Sequence, residues 1–382
     1  DSLHVYNTTN GIFATTYSLS DFGLAGGQKM MTWQNSGPAS PSQTSLLVSD
    51  GMGTLAHLTP NLTPLLQGNI RLASSPATDE MLHIVEVNGI LYIAGESEGL
   101  STISRYDTGN SEWLSPIVNS PSEISAMETD GADLFVAISG ASVYRFATNG
   151  TQLASWTSTN CWDIGSDILS MDVDGSHVTI SLEDGGFSII NRSSGVCIQY
   201  DTTNGIPTSL LGDVVLNGGK AYVASEDKGV LRYDIANDSW LTPWGSTGVN
   251  GVDYAGVAMV GNILHLGLQG YGVVRKDIST GEILTPFLAS GRNAPLPSSQ
   301  IYALASDGYN LYIGTQQGAR KWDGNQMTSF SQGSSWQTRP TQFFDFAVDA
   351  SISGGSLYAG TNIGLCKYSI ATMSINDCQN VY

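Results

Sequence analysis

A unit of about 44 residues recurs along this chain, and a period of that length constrains the fold more than any other feature of the sequence. The stretches GILYIAGESEGLSTISRYDTGNSEWLSP (89–116), GKAYVASEDKGVLRYDIANDSWLTP (219–243), NILHLGLQGYGVVRKDISTGEILTP (262–286) and YNLYIGTQQGARKWDGNQMTSF (309–330) share one plan. Each reads as an alternating strand, a short Gly-containing loop, a second strand, a turn and a third strand. The centre of the first of these strands falls at Leu47, Tyr92, Phe135, Val178, Tyr222, His265, Tyr312 and Tyr358, with gaps of 43 to 47 residues. A fourth strand precedes each centre, as EISAM precedes TDGADLFVAI. Short hairpins join the two: VNG (87–89), TDG (129–131), VDG (173–175) and SDG (306–308). Asn-Gly and Asp-Gly are the dipeptides that two-residue hairpin turns prefer.

Four antiparallel strands per period describe a β-propeller blade, which stacks radially because no blade covers its own apolar faces. The sequence therefore predicts an all-β chain, 1–382, forming a single β-propeller of eight four-stranded blades, with seven as the alternative. The approximate blades are 28–72, 80–118, 123–158, 167–204, 210–243, 255–287, 300–331 and 345–382. Residues 1–12 read as an outer strand that closes the ring; otherwise the chain is a piece of a longer array. The near-identity of YNTTNGI (6–12) and YDTTNGI (200–206) then marks the end of an outermost strand and the crossing that follows. The first repeat is the most divergent and carries the Pro/Ser-rich loop NSGPASPSQT at 35–44. Composition agrees: 44 Gly and only 13% charged residues suit short strands joined by many tight turns.

NGIPTSLLGDVVLNGGKAYVASEDKGVLRYD (204–234) and SSQIYALASDGYNLYIGTQQGARKWDG (298–324) resemble the repeats of two-component-regulator-type propellers of periplasmic sensor domains. More loosely they are similar to kelch-type and quinoprotein-like repeats. The matching residues are structural ones, so the resemblance implies the fold. The membrane spans and kinase domains of the sensor family have no counterpart in this sequence, and signalling is not carried over.

Fifteen Lys and Arg stand against 34 Asp and Glu, a formal net charge of −19. Such a surface repels phosphate backbones and anionic lipid heads, which argues against nucleic-acid or membrane-surface binding. No stretch reaches the roughly 18 apolar residues of a membrane span. The start, DSLHVYNTTNGIF, has neither the basic opening nor the apolar run of a signal peptide, and reads as a processed or excised chain.

In a propeller the loops between second and third strands share one face with the crossings between blades. The former place Glu96, Glu98, Glu183, Asp184, Glu226 and Asp227 on one rim, and Glu80, Glu123, Asp167, Gln300 and Asp345 fall near one register just before the innermost strand. Such carboxylates would suit Ca²⁺ or another oxygen-liganded cation, the alternative being ordinary solvated side chains. Trp113, Trp156 and Trp240 recur in outer strands and are expected to pack between blades. Trp162, Trp244 and Trp336 fall in crossings, with Tyr254 nearby; there they would stack on a sugar, fill a partner's pocket, or simply pack.

Four cysteines imply two disulfides and an oxidising compartment. Cys366 and Cys378 flank a turn near Thr372 at equal distances and would face each other across a hairpin, which leaves Cys161 with Cys197. Asn-x-Ser/Thr sequons occur at Asn7, Asn61, Asn149, Asn191 and Asn237, the last four in turns between third and fourth strands, on the opposite rim. No G-x-S-x-G, H-E-x-x-H or phosphate loop is present, and only His83 and Tyr254 would suit a lyase base. The favoured function is a non-catalytic extracellular or cell-surface module that binds carbohydrate or protein through its acidic face. The alternatives are a carbohydrate-active enzyme (polysaccharide lyase or glycosidase) and a structural unit of a surface assembly.

Overall fold

The structure is a computed structural model. It describes residues 83–379 apart from 98–99, 111, 121, 141, 159–160, 163–165, 246–253, 292–293, 331–339, 341, 350–354 and 363; of the first 82 residues it describes the backbone of six strands. The chain divides into two compact units, 1–74 and 75–382. In the first, Ser2–Tyr6 pairs with Phe13–Ser18, and Met30–Gln34, Ser45–Ser49, Leu55–Leu58 and Pro64–Gly68 form a four-stranded antiparallel sheet in chain order.

The second unit holds seven four-stranded antiparallel sheets, each built from four consecutive strands. Their innermost strands are His83–Val87, Ile124–Thr129, Ile168–Val173, Leu211–Asn217, Tyr254–Val260, Ile301–Ser306 and Phe343–Asp349. Each touches the next, and the last touches the first, so the sheets are the blades of a closed propeller.

Alternation along the second strands explains the stacking. Leu91 and Ile93 pack against Ala347, Tyr358 and Leu365 of the seventh blade, whereas Tyr92 and Ala94 pack against Met127, Leu134 and Val136 of the second. One strand thus supplies apolar surface to both neighbours, which is why it reads as a continuous buried run in the sequence. Gly at the start of the third strand is a packing requirement: a Cβ on Gly186, Gly229 or Gly272 would overlap the carbonyl oxygen of Tyr200, Gly245 or Phe287.

The ring has seven blades, not the eight favoured from the sequence. Repeats count sheets, but ring size is set by where two apolar faces meet, and here the 343–379 blade already covers the 83–120 blade. The Leu47 repeat does form a four-stranded sheet, yet within the 1–74 unit. Of residues 1–12, expected from the sequence as an outer strand, Ser2–Tyr6 pairs with Phe13–Ser18, and the seventh blade carries its own outer strand, Ile375–Gln379.

Candidate functional site

The backbone amides of Ser139, Glu183, Glu226, Gln316 and Asn362, each just after a second strand, bond to the carbonyls of Glu123, Asp167, Leu210, Gln300 and Gln342. These bonds join each second-to-third-strand turn to the entry of its blade's innermost strand, defining one loop face. Around it the side chains are unevenly distributed. The second to fourth blades present Glu123, Asp167, Glu183, Asp184, Glu226 and Asp227, and beside them Leu169 and Leu210 are 41% and 46% exposed. In the fifth to seventh blades the positions corresponding to the acids are Gln269, Gly270, Gln300, Gln316, Gln317, Gln342 and Asn362, and those corresponding to Leu169 in the sixth and seventh are Tyr302 and Phe344. Asp167 accepts a bond from the Ser139 hydroxyl at 2.9 Å, and Asp227 pairs with Lys228 at 2.9 Å.

Below this face the innermost strands of all seven blades line a cavity of about 920 Å³. Its wall carries carboxyl groups that sequence reasoning did not single out, Glu86, Glu128, Asp172 and Asp213, together with Asp345 and His83. Three polar side chains at one register act as staples: Ser170 Oγ accepts the Val214 amide at 3.3 Å, Asp213 the Val257 amide at 2.6 Å, and Asp345 the Ile84 amide at 2.7 Å. Each reaches across to the next blade, and the Asp345 staple spans the ring closure. Asp172 likewise accepts the Leu216 amide at 2.5 Å. Burial pushes Asp172 and Asp345 up to about 7 against these stabilising bonds, and raises Asp213 and Glu86. Glu128 is raised well above the ordinary carboxylate range, by burial first and then by the fields of Asp172, Asp213 and Asp345. Burial drops His83 to about 4, so the wall holds no compensating cation from it at neutral pH.

Several sites expected from the sequence are placed differently. Asp345 stands three positions beyond the register of Glu123, Asp167 and Gln300, inside the channel and bound to two amides, those of Ile84 and Phe346. Trp162 is 4% exposed and sits with Cys161 in the core between the second and third blades, so it is not a surface platform. Trp244 stacks on Tyr222 at 5.7 Å and is covered by the Arg232 guanidinium at 4.2 Å and Lys276 at 5.2 Å, which occupies the ring in packing. Glu80, Trp336 and Asn61 lie outside the described residues, as do Asn7 and the 35–44 loop; of Tyr254 only the backbone is described, at the start of an innermost strand. Among the described residues no three His, Cys, Asp or Glu side chains converge to hold a metal ion. Cys366 and Cys378 are disulfide-bonded across the registered pair of the last hairpin. Cys161 and Cys197 are thiols. Asn149 and Asn237 are exposed in third-to-fourth-strand turns, and Asn191 is half-buried, its side-chain oxygen accepting the Ser193 and Ser194 amides.

No family model matches the chain, and no curated protein does. Solved structures do match. The computationally designed Ika8 protein aligns at 14% identity with a TM-score of 0.56, over 81% of this chain and 90% of its own. The extracellular domain of the one-component system BT4673 from B. thetaiotaomicron aligns at 15% identity and 0.56, over 78% of this chain and 39% of its own. The WD40 β-propeller domain of Doa1 aligns at 14% identity and 0.55, over 77% and 94%. At such identities the likeness speaks for the fold, and the chain is a β-propeller similar to both an extracellular and a WD40 example. Among the described residues no helix is long and apolar enough to cross a membrane.

Proposed function

We propose that the ring is an extracellular binding module whose partner is a protein segment combining basic and aliphatic side chains, docked on the loop face over the second to fourth blades. The observation that carries this reading is the pairing of exposed Leu169 and Leu210 with Glu123, Asp167, Glu183 and Asp184 on one sector of that face. Exposed leucines cost free energy in water that a partner's aliphatic groups recover on docking. The carboxylates around them attract cations and repel anions. A sugar ligand would want flat aromatic faces, and Trp162 and Trp244 spend theirs on packing. The Cys366–Cys378 bond and the likeness to an extracellular domain support a location outside the reducing cytosol.

The test is a parallel screen of the full chain against a glycan array and a library of peptides mixing Lys or Arg with Leu or Ile, with and without EDTA. Peptide binding should weaken with salt, ignore EDTA, and drop at least tenfold in a Glu183→Lys/Asp184→Lys variant that keeps the wild-type Tm. Glycan binding that both variant and wild type share, or peptide binding indifferent to the charge reversal, would remove the proposal.

A further inference from the structure

Cys161 lies in the crossing from the second blade to the third, and Cys197 opens the third blade's outer strand, Cys197–Tyr200. The crossing turns inward at this point. Cys161 and Trp162 are 7% and 4% exposed and pack with Trp156, Ile180 and Ile190, and Cys197 packs onto the same cluster. The Cys161 carbonyl is the focus of the contact: it accepts the Ser188 hydroxyl at 3.3 Å and the Cys197 thiol at 3.2 Å. Hydrogen bonding from Cys197 pulls the Cys161 thiol below its ordinary value, and the same contact raises the Cys197 thiol. The Cys197 sulfur and the Cys161 backbone, 36 residues apart in sequence, are therefore held together by contacts that do not depend on a bond between the two cysteines. The same chain already carries one disulfide, Cys366–Cys378.

We propose that Cys161 and Cys197 form a second disulfide, tying the crossing that leads through Asp167 into the third blade's innermost strand to that blade's outer strand. The inference is independent of the docking partner proposed above. The oxidant is a small-molecule or protein disulfide. Cys161 is the more acidic thiol but is only 7% exposed, so the half-exposed Cys197 is the sulfur that an oxidant reaches. It loses its thiol proton and attacks the oxidant's S–S bond, which breaks to release one thiolate and leave a mixed disulfide on Cys197. Cys161 then gives up its proton and attacks the Cys197 sulfur, expelling the second thiolate. Two electrons pass from the cysteine pair to the oxidant, which leaves as two thiols. The bond would close a 36-residue separation and restrict the unfolded chain accordingly.

The test uses the full chain folded in a buffer of oxidised and reduced glutathione, alkylated in denaturant and digested without reduction. No cysteine should take up the alkylating agent, and a linked peptide pair should contain Cys161 and Cys197. A Cys197→Ser variant should expose Cys161 to alkylation while Cys366 and Cys378 stay linked. A Cys161→Ser/Cys197→Ser variant should keep the wild-type circular dichroism and lose roughly 4–8 °C of Tm. The proposal is overturned if Cys161 and Cys197 are both alkylated in oxidised wild type, or if either is found linked to Cys366 or Cys378.

Discussion

Asp345 on the channel wall and Asp277 in an outer turn of the fifth blade each accept two backbone amides, those of Ile84 and Phe346 at 2.7 and 2.8 Å and those of Ser279 and Thr280 at 2.7 and 3.3 Å. Their acidities nevertheless move in opposite directions. Asp345 is pushed up to about 7 by burial, while the Ser279 hydroxyl and amide hold Asp277 below the ordinary carboxylate range. Asp172 behaves like the first; Asp107, Asp201, Asp234 and Asp323 behave like the second. Backbone amides are thus not what separates the two regions, and neither is a hydroxyl, because Asp213 accepts the Ser170 hydroxyl and two amides and is still raised. The difference is how freely water surrounds the charge. Each aspartate keeps some surface, but Asp345 faces a channel whose wall it shares with Glu128, Asp172 and Asp213, and there the desolvation cost exceeds what two amides return.

Removing the wall acceptor should produce the largest effect. Asp345→Ala orphans the Ile84 amide at the ring closure and should cost about 3 kcal/mol in urea unfolding at pH 5, where the native carboxyl is mostly neutral. A loss matched by Asp277→Ala would erase the distinction between the regions. Next in size is the pH profile. A folded pKa raised above the unfolded value near 4 contributes stability that is complete below pH ~4 and declines as pH rises to ~7, where Asp172 and Asp345 ionise. Lowered pKa values in the turns do the reverse, contributing above pH ~4 and failing as pH falls. Stability measured by urea titration should therefore peak near pH 4–5, and a profile rising steadily to pH 8 contradicts the wall assignment.

Substitution by asparagine sharpens the comparison further, since it keeps an acceptor and removes the charge. Asp345→Asn should raise stability by on the order of 1–2 kcal/mol at pH 8 and change little at pH 5. Asp277→Asn should give the smallest effect and the opposite sign, a slight loss at pH 8 that vanishes near pH 3. If both variants shift alike at pH 8, solvent access is not the deciding factor.

The repeat made the blades readable because strand alternation and hairpin Gly are local. Equal spacing around Thr372 sufficed to pair Cys366 with Cys378, now seen in register. Ring size was not readable, because it depends on Leu91 and Ile93 meeting Tyr358 and Leu365 across the closure, and no local pattern encodes that meeting. The channel carboxylates were missed for a related reason. The first hairpin of the seventh blade is longer, Ala347 pairing with Tyr358 where the sixth blade pairs Ala305 with Tyr312, so counting back from the strand centres set Asp345 on the rim. A usable signal was present: Glu128, Asp172 and Asp213 are each the single charged residue of an innermost strand. Trp162 followed no pattern, since the inward turn of one crossing has no equivalent to compare it with.

The account rests on the seven blades closing upon each other, and hydrogen–deuterium exchange at the Ile84 amide tests that most directly. Ile84 donates to Asp345 across the closure as Val257 donates to Asp213 between the fourth and fifth blades. A closed ring protects the two amides to a similar degree at pH 5. Exchange of Ile84 at the rate of an open sheet edge, with Val257 still protected, would mean that the first and seventh blades do not meet.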